Sequence, residues 1–457
     1  MDGHHRRLHH QVYGVTTPDG IGGTDPSSTA ECGVIEIVWV DKNNNAILEP
    51  LPPELMGMDK VAWDGTREML PEEITTTEDW YNYVAQTGSA DGITSRWENA
   101  KNSDGSYFVW VPRYAYKIIY FDTDANRIAY LNDNTSTAGI IAYYTKDGKI
   151  NSTENKVIVA ADSGIQSPKT KGYTDYIVHP SFETNVDLGG WDSDLSGMWV
   201  AKYEMSIEGS RDMGTTWEEW WQPGNVATKN AGSSSYIRTV SKPGVESWRG
   251  INIANSYNNS FAYDREKESH LIKNSEWGAI AYLAHSRHGR NGTKVSINSV
   301  SIGTGGVYGS LNTIYGTNSN QSTTGNAHGI YDLNGHNDEY VAAYNKAYSQ
   351  TGNCFGGAGG NTDVNYKPAT GSHFAYSKYP NSDKYATVYE NNSTKGDPTN
   401  NAINILEFKD GRTGSITGDG ILETFLRKDL NWFLVGNMFT TSISPFFIRG
   451  RLLWRRK

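Results

Sequence analysis

Apolar and alternating segments mark the predicted strands of this chain. The segment GVIEIVWV, which begins at Gly33, alternates apolar and polar residues before it becomes apolar, and FVWVPRYAYKIIYF covers 108–121. Both patterns are typical of β-strands. Helical periodicity is scarce. It is clearest in NSEWGAIAYLAHSRHG, which predicts a helix over 274–288, and a weaker pattern predicts a second helix over 247–260.

Two short segments resemble each other. WVPRY at 110–114 is similar to WVAKY at 199–203, although the similarity is too short to indicate a solenoid repeat. We interpret the pair as two strands with the same role. In each, an aromatic side chain points inward and a neighbouring cation points outward.

The distribution of small and polar residues predicts three regions. Residues 1–28 are rich in Gly, Pro, Ser and Thr, which indicates a flexible leader. Residues 29–105 are predicted to form a small β-rich module, and 106–457 a large domain. From 291 to 424 the chain is predicted to be mostly loop, and exposed binding surfaces are the usual reason for so long a loop region.

Composition and charge exclude several classes of protein. The 457 residues carry a formal net charge of −10, which argues against a general nucleic-acid binder. Aromatic residues make up 12% of the chain, as expected of a folded protein rather than a disordered one. The sequence contains no run of about 18 apolar residues, so we do not expect a helix that crosses a membrane. The two cysteines, Cys32 and Cys354, are too few for a disulfide scaffold or a Cys-rich zinc site.

Two polar clusters have some features of metal sites. DKNNNAILEP, from Asp41, has oxygen ligands at the first, third and fifth positions of a calcium loop, but it lacks the later Gly and Glu, so a plain turn is favoured. His285 and His288 lie three residues apart, and no carboxylate or Cys completes a ligand set in the sequence. A polar helix end that complements the helix dipole is favoured there.

Four segments in order resemble the formylglycine-generating-enzyme type of C-type lectin-like fold. They are GMWVAKYEMS (197–206), KPGVESW (242–248), LIKNSEWGAIAYLA (271–284) and GIYDLNGHNDEY (329–340). The resemblance implies an α+β domain with few helices and long loops, in which the two predicted helices pack on a twisted, mostly antiparallel sheet.

The resemblance also implies a candidate calcium site. Members of the family often hold calcium near the segment that matches 329–340. Here His336 and Asp338 replace the family's Asn and Trp, which leaves Gly335, Asn337 and Glu339 as candidate ligands. A structural turn without calcium is the alternative.

The family's known chemistry does not transfer to this sequence. Formylglycine-generating enzymes use a late cysteine pair, and this chain has no cysteine after Cys354. Related sulfoxide synthases need a His/His/Glu site from an added helical domain, for which we find no counterpart. We therefore expect a protein that is not an enzyme. A metal-dependent oxidase and a purely structural virion or pilus component are the alternatives.

The non-enzymatic branch fits better, because the chain resembles phage and bacterial surface proteins of gut Firmicutes, including variable proteins of diversity-generating retroelements. This resemblance implies an attachment protein on a virion, or an extracellular or cell-surface protein, that binds a host-cell surface glycan or protein. It also implies assembly as a homo-oligomer or within a virion or surface structure.

The predicted contact residues lie near the C-terminus. They are Trp432, Phe439, Phe447 and Arg449, since aromatic side chains give contact area at low entropic cost. The alternative is that these aromatic residues belong to the core of the final strands.

The C-terminal segment departs from the family. SPFFIRG at 444–450 matches the family's final motif, but Arg451 replaces the second Gly of that motif and the sequence given stops at Lys457. The expectation is that the chain is shortened or closes its sheet differently. If it is shortened, its last strands should lack partners and expose apolar residues such as Trp454.

Overall fold

The structure is a computed structural model. It describes residues 33–83, 95–120, 125, 129–130, 140–142, 176–184, 191–207, 239–245, 259–261, 263–264, 266–291, 319–333, 339–345, 383–385, 387–389, 423–426, 433–436, 449–450 and 452–455. Within these ranges, short strands in mostly antiparallel sheets accompany few helices, so the predicted α+β class is confirmed. The predicted leader, 1–28, lies outside the described residues, as does the predicted helix 247–260 except for its last two residues.

The largest sheet has six strands, and all of its pairs are antiparallel. The strands are β2 (Asp59–Val61), β3 (Asn99–Lys101), β4 (Tyr107–Pro112), β8 (Gly197–Ala201), β11 (His270–Leu271) and β18 (Leu452–Arg455). Their spatial order is β11-β18-β8-β4-β3-β2. Residues from four distant parts of the chain therefore share one sheet.

A second sheet is formed around the two apolar segments that predicted strands. It contains β1 (Gly33–Trp39), β5 (Tyr114–Tyr120), β6 (Ile140–Ala142) and β7 (Ile177–Val178). β1 pairs antiparallel with β5 over their whole length, and β6 and β7 also pair with β5. The prediction of strands in these two segments is confirmed.

The remaining strands form smaller sheets. β9 (Ser206–Ile207) pairs with β10 (Thr239–Val240), and β13 (Ala343–Asn345) pairs with β14 (Thr387–Tyr389). A four-stranded sheet contains β12 (Glu339–Val341), β15 (Glu423–Leu426), β16 (Phe433–Gly436) and β17 (Arg449–Gly450), in the order β15-β16-β12-β17.

The boundary predicted between residues 105 and 106 falls inside a hairpin. β3 and β4 pair with Asn99 opposite Val109, and the backbone N–H of Asn102 donates to Ser106 O across the turn. β4 then pairs with β8 on its other edge. The hydrogen-bonded ladder therefore continues across the predicted boundary.

Two helices have defined bounds, α1 (Thr77–Trp80) and α2 (Asn274–His285). The prediction of a helix over 274–288 is confirmed, although α2 ends three residues earlier. The carboxylate of Glu276 accepts the backbone N–H of Lys273 at the start of α2. Short 3-10 turns occur at Pro71–Glu73, Pro180–Phe182, Ser319–Gln321 and Asp383–Tyr385. No helix in the described ranges is long and apolar enough to cross a membrane.

Both faces of the six-stranded sheet are covered, because successive strand residues point to opposite faces. On one face Val109, Val111, Met198 and Val200 belong to the same buried cluster as Trp277 and Ile280 of α2. On the other face lie Phe108, Trp110, Trp199 and Ala201, which pack with Met58 and Trp80. The sheet is therefore the middle layer of the described core.

The two similar segments are neighbouring strands. Trp110 of β4 lies opposite Trp199 of β8 in the antiparallel register, and their ring centroids are 5.4 Å apart. The prediction of two strands with buried aromatic residues is confirmed. The predicted outward cations are wrong, because Arg113 and Lys202 are both buried.

The final strand has a partner on each side. Leu453 of β18 lies opposite His270 of β11 and opposite Val200 of β8. The expectation that the last strands lack partners is therefore wrong for β18. The neighbouring strands satisfy backbone groups that an edge strand would leave unpaired.

We predict that Gly197→Ala destabilises the fold strongly. A Cβ at this position would lie 2.3 Å from Trp110 Cζ2 and 2.7 Å from the Val111 carbonyl oxygen, so the central strand pair would have to separate. Overpacking of this kind costs about 3 kcal/mol of unfolding free energy.

Gly57→Ala is the matched control, because its φ is +84° and no atom lies within 4 Å of the added Cβ. It should cost only about 1 kcal/mol from backbone strain. Chemical denaturation of both variants measures the difference, and equal losses would contradict the close approach at Gly197.

We also predict that stability falls as the solution becomes acidic. Burial lowers the pKa of His179 to about 3, of His328 to about 3 and of His288 to about 4, from 6.5. The unfolded chain therefore binds protons below pH 6.5 that the folded chain excludes, and the stability present above pH 6.5 is lost towards pH 4. Burial raises the pKa of Glu98, so the folded chain keeps a proton there that the unfolded chain loses. This proton offsets one of the three histidine protons.

Each uncompensated proton changes stability by about 1.4 kcal/mol per pH unit. We therefore expect the free energy of unfolding to fall by roughly 3 kcal/mol per unit in this window. Denaturant titrations at several pH values measure the slope, and His179→Gln should reduce it. A flat profile would show that these histidines are accessible to protons in the folded chain.

Candidate ligand-binding site

Lys202 follows directly after β8 and connects three segments through its backbone. Its N–H donates to Tyr107 O at 2.9 Å, and its carbonyl accepts the N–H of Tyr331 at 2.9 Å. The residue therefore joins the start of β4 to the segment GIYDL at 329–333.

The side chain of Lys202 strengthens this connection. Its Nζ donates to Asn99 Oδ1 at 2.8 Å, to Ala327 O at 2.5 Å and to Gly329 O at 2.9 Å. The same ammonium group lies 4.3 Å from the ring centroid of Trp63. Aromatic faces attract cations, and this attraction grows when water is excluded.

Burial lowers the pKa of Lys202 well below that of a lysine in water, whereas the charge of Glu68 opposes the shift. A lysine ammonium has three N–H donors, and three oxygen acceptors surround this one. The arrangement is therefore built to hold the charged form, since a buried charge is tolerated when its donors are satisfied.

Asn99 completes the attachment of the loop formed by residues 323–330, which contains the Lys202 acceptors Ala327 and Gly329. Its Nδ2 donates to Trp97 O and to His328 O, each at 2.8 Å, which leaves Oδ1 to accept from Lys202. The loop also closes on itself, since Thr323 N donates to Ile330 O and Ile330 N donates to Thr323 Oγ1. Residues 323–330 are thus fixed against β3 and β8.

Arg113 has the corresponding role beyond the other end of β4. Its guanidinium donates to Phe182 O at 2.7 Å, to Asn44 Oδ1 at 2.6 Å and to Asp194 Oδ2 at 3.1 Å. These acceptors lie in three separate segments of the chain, two of them loops and one the 3-10 turn Pro180–Phe182. Arg113 and Lys202, the cations of the two similar segments, therefore both point inward, because carbonyl and side-chain oxygens from distant residues surround each of them.

The predicted calcium ligands follow the loop that Lys202 holds. Gly335 and Asn337 lie outside the described residues. Glu339 is the first residue of β12, which runs between β16 and β17. Glu339 is opposite Val435 on one side and opposite Arg449 on the other.

Of the predicted contact residues, Arg449 is the one within the described residues, and Trp432, Phe439 and Phe447 lie outside them. Arg449 begins β17, and Phe433, the residue after Trp432, begins β16. The structure therefore places a predicted calcium ligand and a predicted contact residue in register on adjacent strands.

This small sheet is attached to the main fold at two points. The N–H of Ala342, just after β12, donates to Ile272 O at 2.7 Å, which links the sheet to the segment preceding α2. On the other side, β17 is followed within two residues by β18 of the six-stranded sheet. The strand that carries Glu339 is therefore supported by the core.

A buried pair at the start of α2 was not predicted from the sequence. His270 Nε2 lies 3.2 Å from Glu276 Oε2, and both side chains are fully buried. Burial acts to raise the pKa of Glu276, but the charge and hydrogen bond of His270, together with the charge and backbone N–H of Lys273, outweigh it, so that this pKa is lowered. His270 lies in β11 and Glu276 lies in the first turn of α2, six residues later. No recognisable sequence pattern connects two residues placed in this way.

The other polar clusters have structural roles. Asp41 Oδ1 accepts the N–H groups of Asn43 and Asn45 at 2.8 Å each, which is the favoured plain turn. His288 Nδ1 lies 2.6 Å from the carbonyl oxygen of Tyr83. Among the described residues, no group of three or more His, Cys, Asp and Glu side chains is placed to hold a metal ion.

Comparison with known proteins does not assign the chain to a family. No protein-family model matches the sequence, and no curated protein matches it. A functional assignment therefore depends on the sequence and on the geometry of the described residues.

We predict that Lys202→Met destabilises the protein by about 3 kcal/mol or more, because three buried oxygen acceptors lose their donor and each costs about 1–3 kcal/mol. The control is Lys101→Met, since the Lys101 side chain is 38% exposed and lies 3.4 Å from Glu68. An exposed pair of this kind contributes about 0–1 kcal/mol. Chemical denaturation compares the two variants, and similar losses would rule out a special role for Lys202.

Proposed function

We propose that this chain is a non-enzymatic attachment protein with a C-type lectin-like domain of the formylglycine-generating-enzyme type. In this proposal it binds a glycan or protein on a host-cell surface and is displayed on a phage particle or a bacterial surface. The resemblance to variable proteins of diversity-generating retroelements supports the role.

One observation carries the proposal. Glu339, predicted as a calcium ligand, and Arg449, predicted as a contact residue, are Cα partners on adjacent parallel strands. They are 110 positions apart in the sequence. Convergence of such residues on one small sheet supports a single binding site there.

The scaffold around this sheet also supports a binding role. Lys202 fixes the loop that precedes the candidate calcium ligands, and Ala342 attaches β12 to the segment before α2. Binding residues work best on rigid elements, because little conformational entropy is then lost when the ligand binds.

Calcium fits the chemistry of the candidate donors. Glu339 offers a carboxylate, and Gly335 and Asn337 offer carbonyl oxygens. Calcium prefers a set of this kind, with only oxygen ligands. Calcium held by these residues would supply positive charge for the hydroxyl groups of a glycan.

We predict that Arg449→Glu weakens attachment by at least about tenfold, because a contact residue in the site reverses its charge. Binding of the fluorescently labelled full chain to host cells and to a glycan array measures the effect. Lys42→Glu makes the same charge change at an exposed turn and should bind as the unaltered chain does. Glu339→Gln should reduce binding only when calcium is present.

Three results would contradict the proposal. Equal binding by the Arg449 and Lys42 variants would place the site elsewhere. Stoichiometric copper or iron with turnover of a thiol substrate would favour a metal-dependent oxidase. A stable homo-oligomer that binds neither cells nor glycans would favour a structural component of a virion or pilus.

A further inference from the structure

Two oxygen partners flank the buried ring of His270. Its Nδ1 lies 2.7 Å from the carbonyl oxygen of Glu268, and its Nε2 lies 3.2 and 3.3 Å from the two carboxyl oxygens of Glu276. The side chains of His270 and Glu276 are both fully buried. A carbonyl oxygen can only accept a hydrogen bond, so Nδ1 must carry a proton.

The second ring nitrogen must carry a proton as well. Glu276 Oε2 also accepts the backbone N–H of Lys273 at 2.8 Å. Although burial raises the pKa of Glu276, the charge and hydrogen bond of His270 and those of Lys273 lower it overall, so the carboxyl is ionised. An ionised carboxylate can only accept, so Nε2 donates to it and His270 is a buried imidazolium.

A neutral histidine could not keep both contacts. It carries one N–H, and its other nitrogen presents a lone pair. If Nδ1 kept the proton, a lone pair would face the carboxylate of Glu276. If Nε2 kept it, a lone pair would face the carbonyl oxygen of Glu268. Loss of one proton from His270 therefore breaks one contact and leaves a buried acceptor unsatisfied.

Aromatic and basic groups face the same ring. The ring centroid of Trp191 lies 5.3 Å from that of His270, and the ring centroid of Tyr385 lies 5.6 Å from it. The Lys273 ammonium lies 3.6 Å from the centroid of the Trp191 ring. The charge of Lys273 therefore opposes the imidazolium, whereas the carboxylate of Glu276 favours it.

The turn before His270 is held on two sides. Glu268 has a φ of +54°, in the left-handed region that residues other than glycine rarely adopt. Its carbonyl accepts from His270, and its carboxylate accepts from Lys384 Nζ at 2.5 Å. Lys384 Nζ also lies 2.6 Å from Asp192 Oδ2. The His270 contact therefore helps to keep an unfavourable backbone conformation in place.

The segment that begins at His270 supports the small sheet of the candidate site on two sides. Leu453 of β18 is the Cα partner of His270, and β18 begins two residues after β17, which carries Arg449. The carbonyl of Ile272, just after β11, accepts the N–H of Ala342, just after β12. The position of β11 therefore affects the strands on both sides of the candidate site.

We propose that His270 is a proton-dependent latch on the small sheet that carries Glu339 and Arg449. The doubly protonated ring joins Glu268 to Glu276 and holds β11 in place. When the ring loses a proton, one contact breaks, the sheet loosens and attachment weakens. This regulation of attachment rests on the proposed function, whereas the latch itself does not.

The charges fix the direction of the pH dependence. The pair is complete while His270 is charged and Glu276 is ionised, so its contribution to stability is lost as the pH rises. His288 provides a comparison, because its Nδ1 also donates to a carbonyl, that of Tyr83. Burial lowers the pKa of His288 to about 4, so this ring stays neutral as the pH rises.

Two measurements on the full chain test the latch. Nitrogen NMR of protein labelled at histidine, assigned with His270→Gln, should show protons on both ring nitrogens of His270 at neutral pH. Hydrogen exchange at the Ala342 amide, corrected for the intrinsic effect of pH on exchange, reports how firmly the sheet is held. Protection should fall about tenfold as the pH rises from about 6 to about 9, a range that includes the ordinary titration of histidine.

Glu276→Gln is the most informative variant. Its amide can donate to a neutral His270 Nε2 and can still accept the N–H of Lys273, so protection should persist at both pH values. His270→Gln should lose protection at both, and if that variant does not fold, Glu276→Gln decides the question. His288→Gln is the matched control and should leave the pH dependence at Ala342 unchanged.

The outcomes separate the latch from the attachment function. A single protonated nitrogen in the His270 ring at neutral pH, protection that does not change with pH, or an unchanged dependence in Glu276→Gln would overturn the latch. Protection that falls with pH in a chain that binds no host cells would support the latch and contradict only the attachment function. Binding that Arg449→Glu removes but that pH does not change would overturn the regulation.

Discussion

The burial of two cations, Lys202 and Arg113, is the constraint on which the described fold depends. A buried charge without partners costs several kcal/mol, so the oxygen acceptors around each one must come together when the chain folds. For Lys202 these acceptors lie 103 to 127 residues away in the sequence, and for Arg113 they lie 69 to 82 residues away. Each cation therefore selects one arrangement of loops around the central strands β4 and β8.

This constraint links the core to the candidate binding site. The loop held by Lys202 leads to the candidate calcium ligands and then to β12, where Glu339 lies opposite Arg449. The chain returns from β17 to the core as β18, between β8 and β11. The small sheet is thus held at its loop and at its last strand, as a rigid platform for recognition requires.

Local patterns in the sequence were sufficient to predict the helix and the strands with the clearest periodicity. The alternation from Gly33, the apolar run from Phe108 and the periodicity from Asn274 each predicted the element that the structure contains. The similarity of WVPRY and WVAKY predicted two strands with buried tryptophans. It did not reveal that the cations are buried, because their acceptors are mainly backbone carbonyls, which every residue type possesses. No sequence pattern marks Ala327 or Gly329 as partners of Lys202.

The most direct test of this account is nuclear magnetic resonance of the side-chain nitrogen of Lys202, in protein labelled at lysine and assigned with Lys202→Arg. The account predicts an ammonium signal at neutral pH whose protons exchange slowly with water, because all three are hydrogen-bonded inside the protein. A signal that exchanges as fast as those of surface lysines, or that reports a neutral amine, would contradict it.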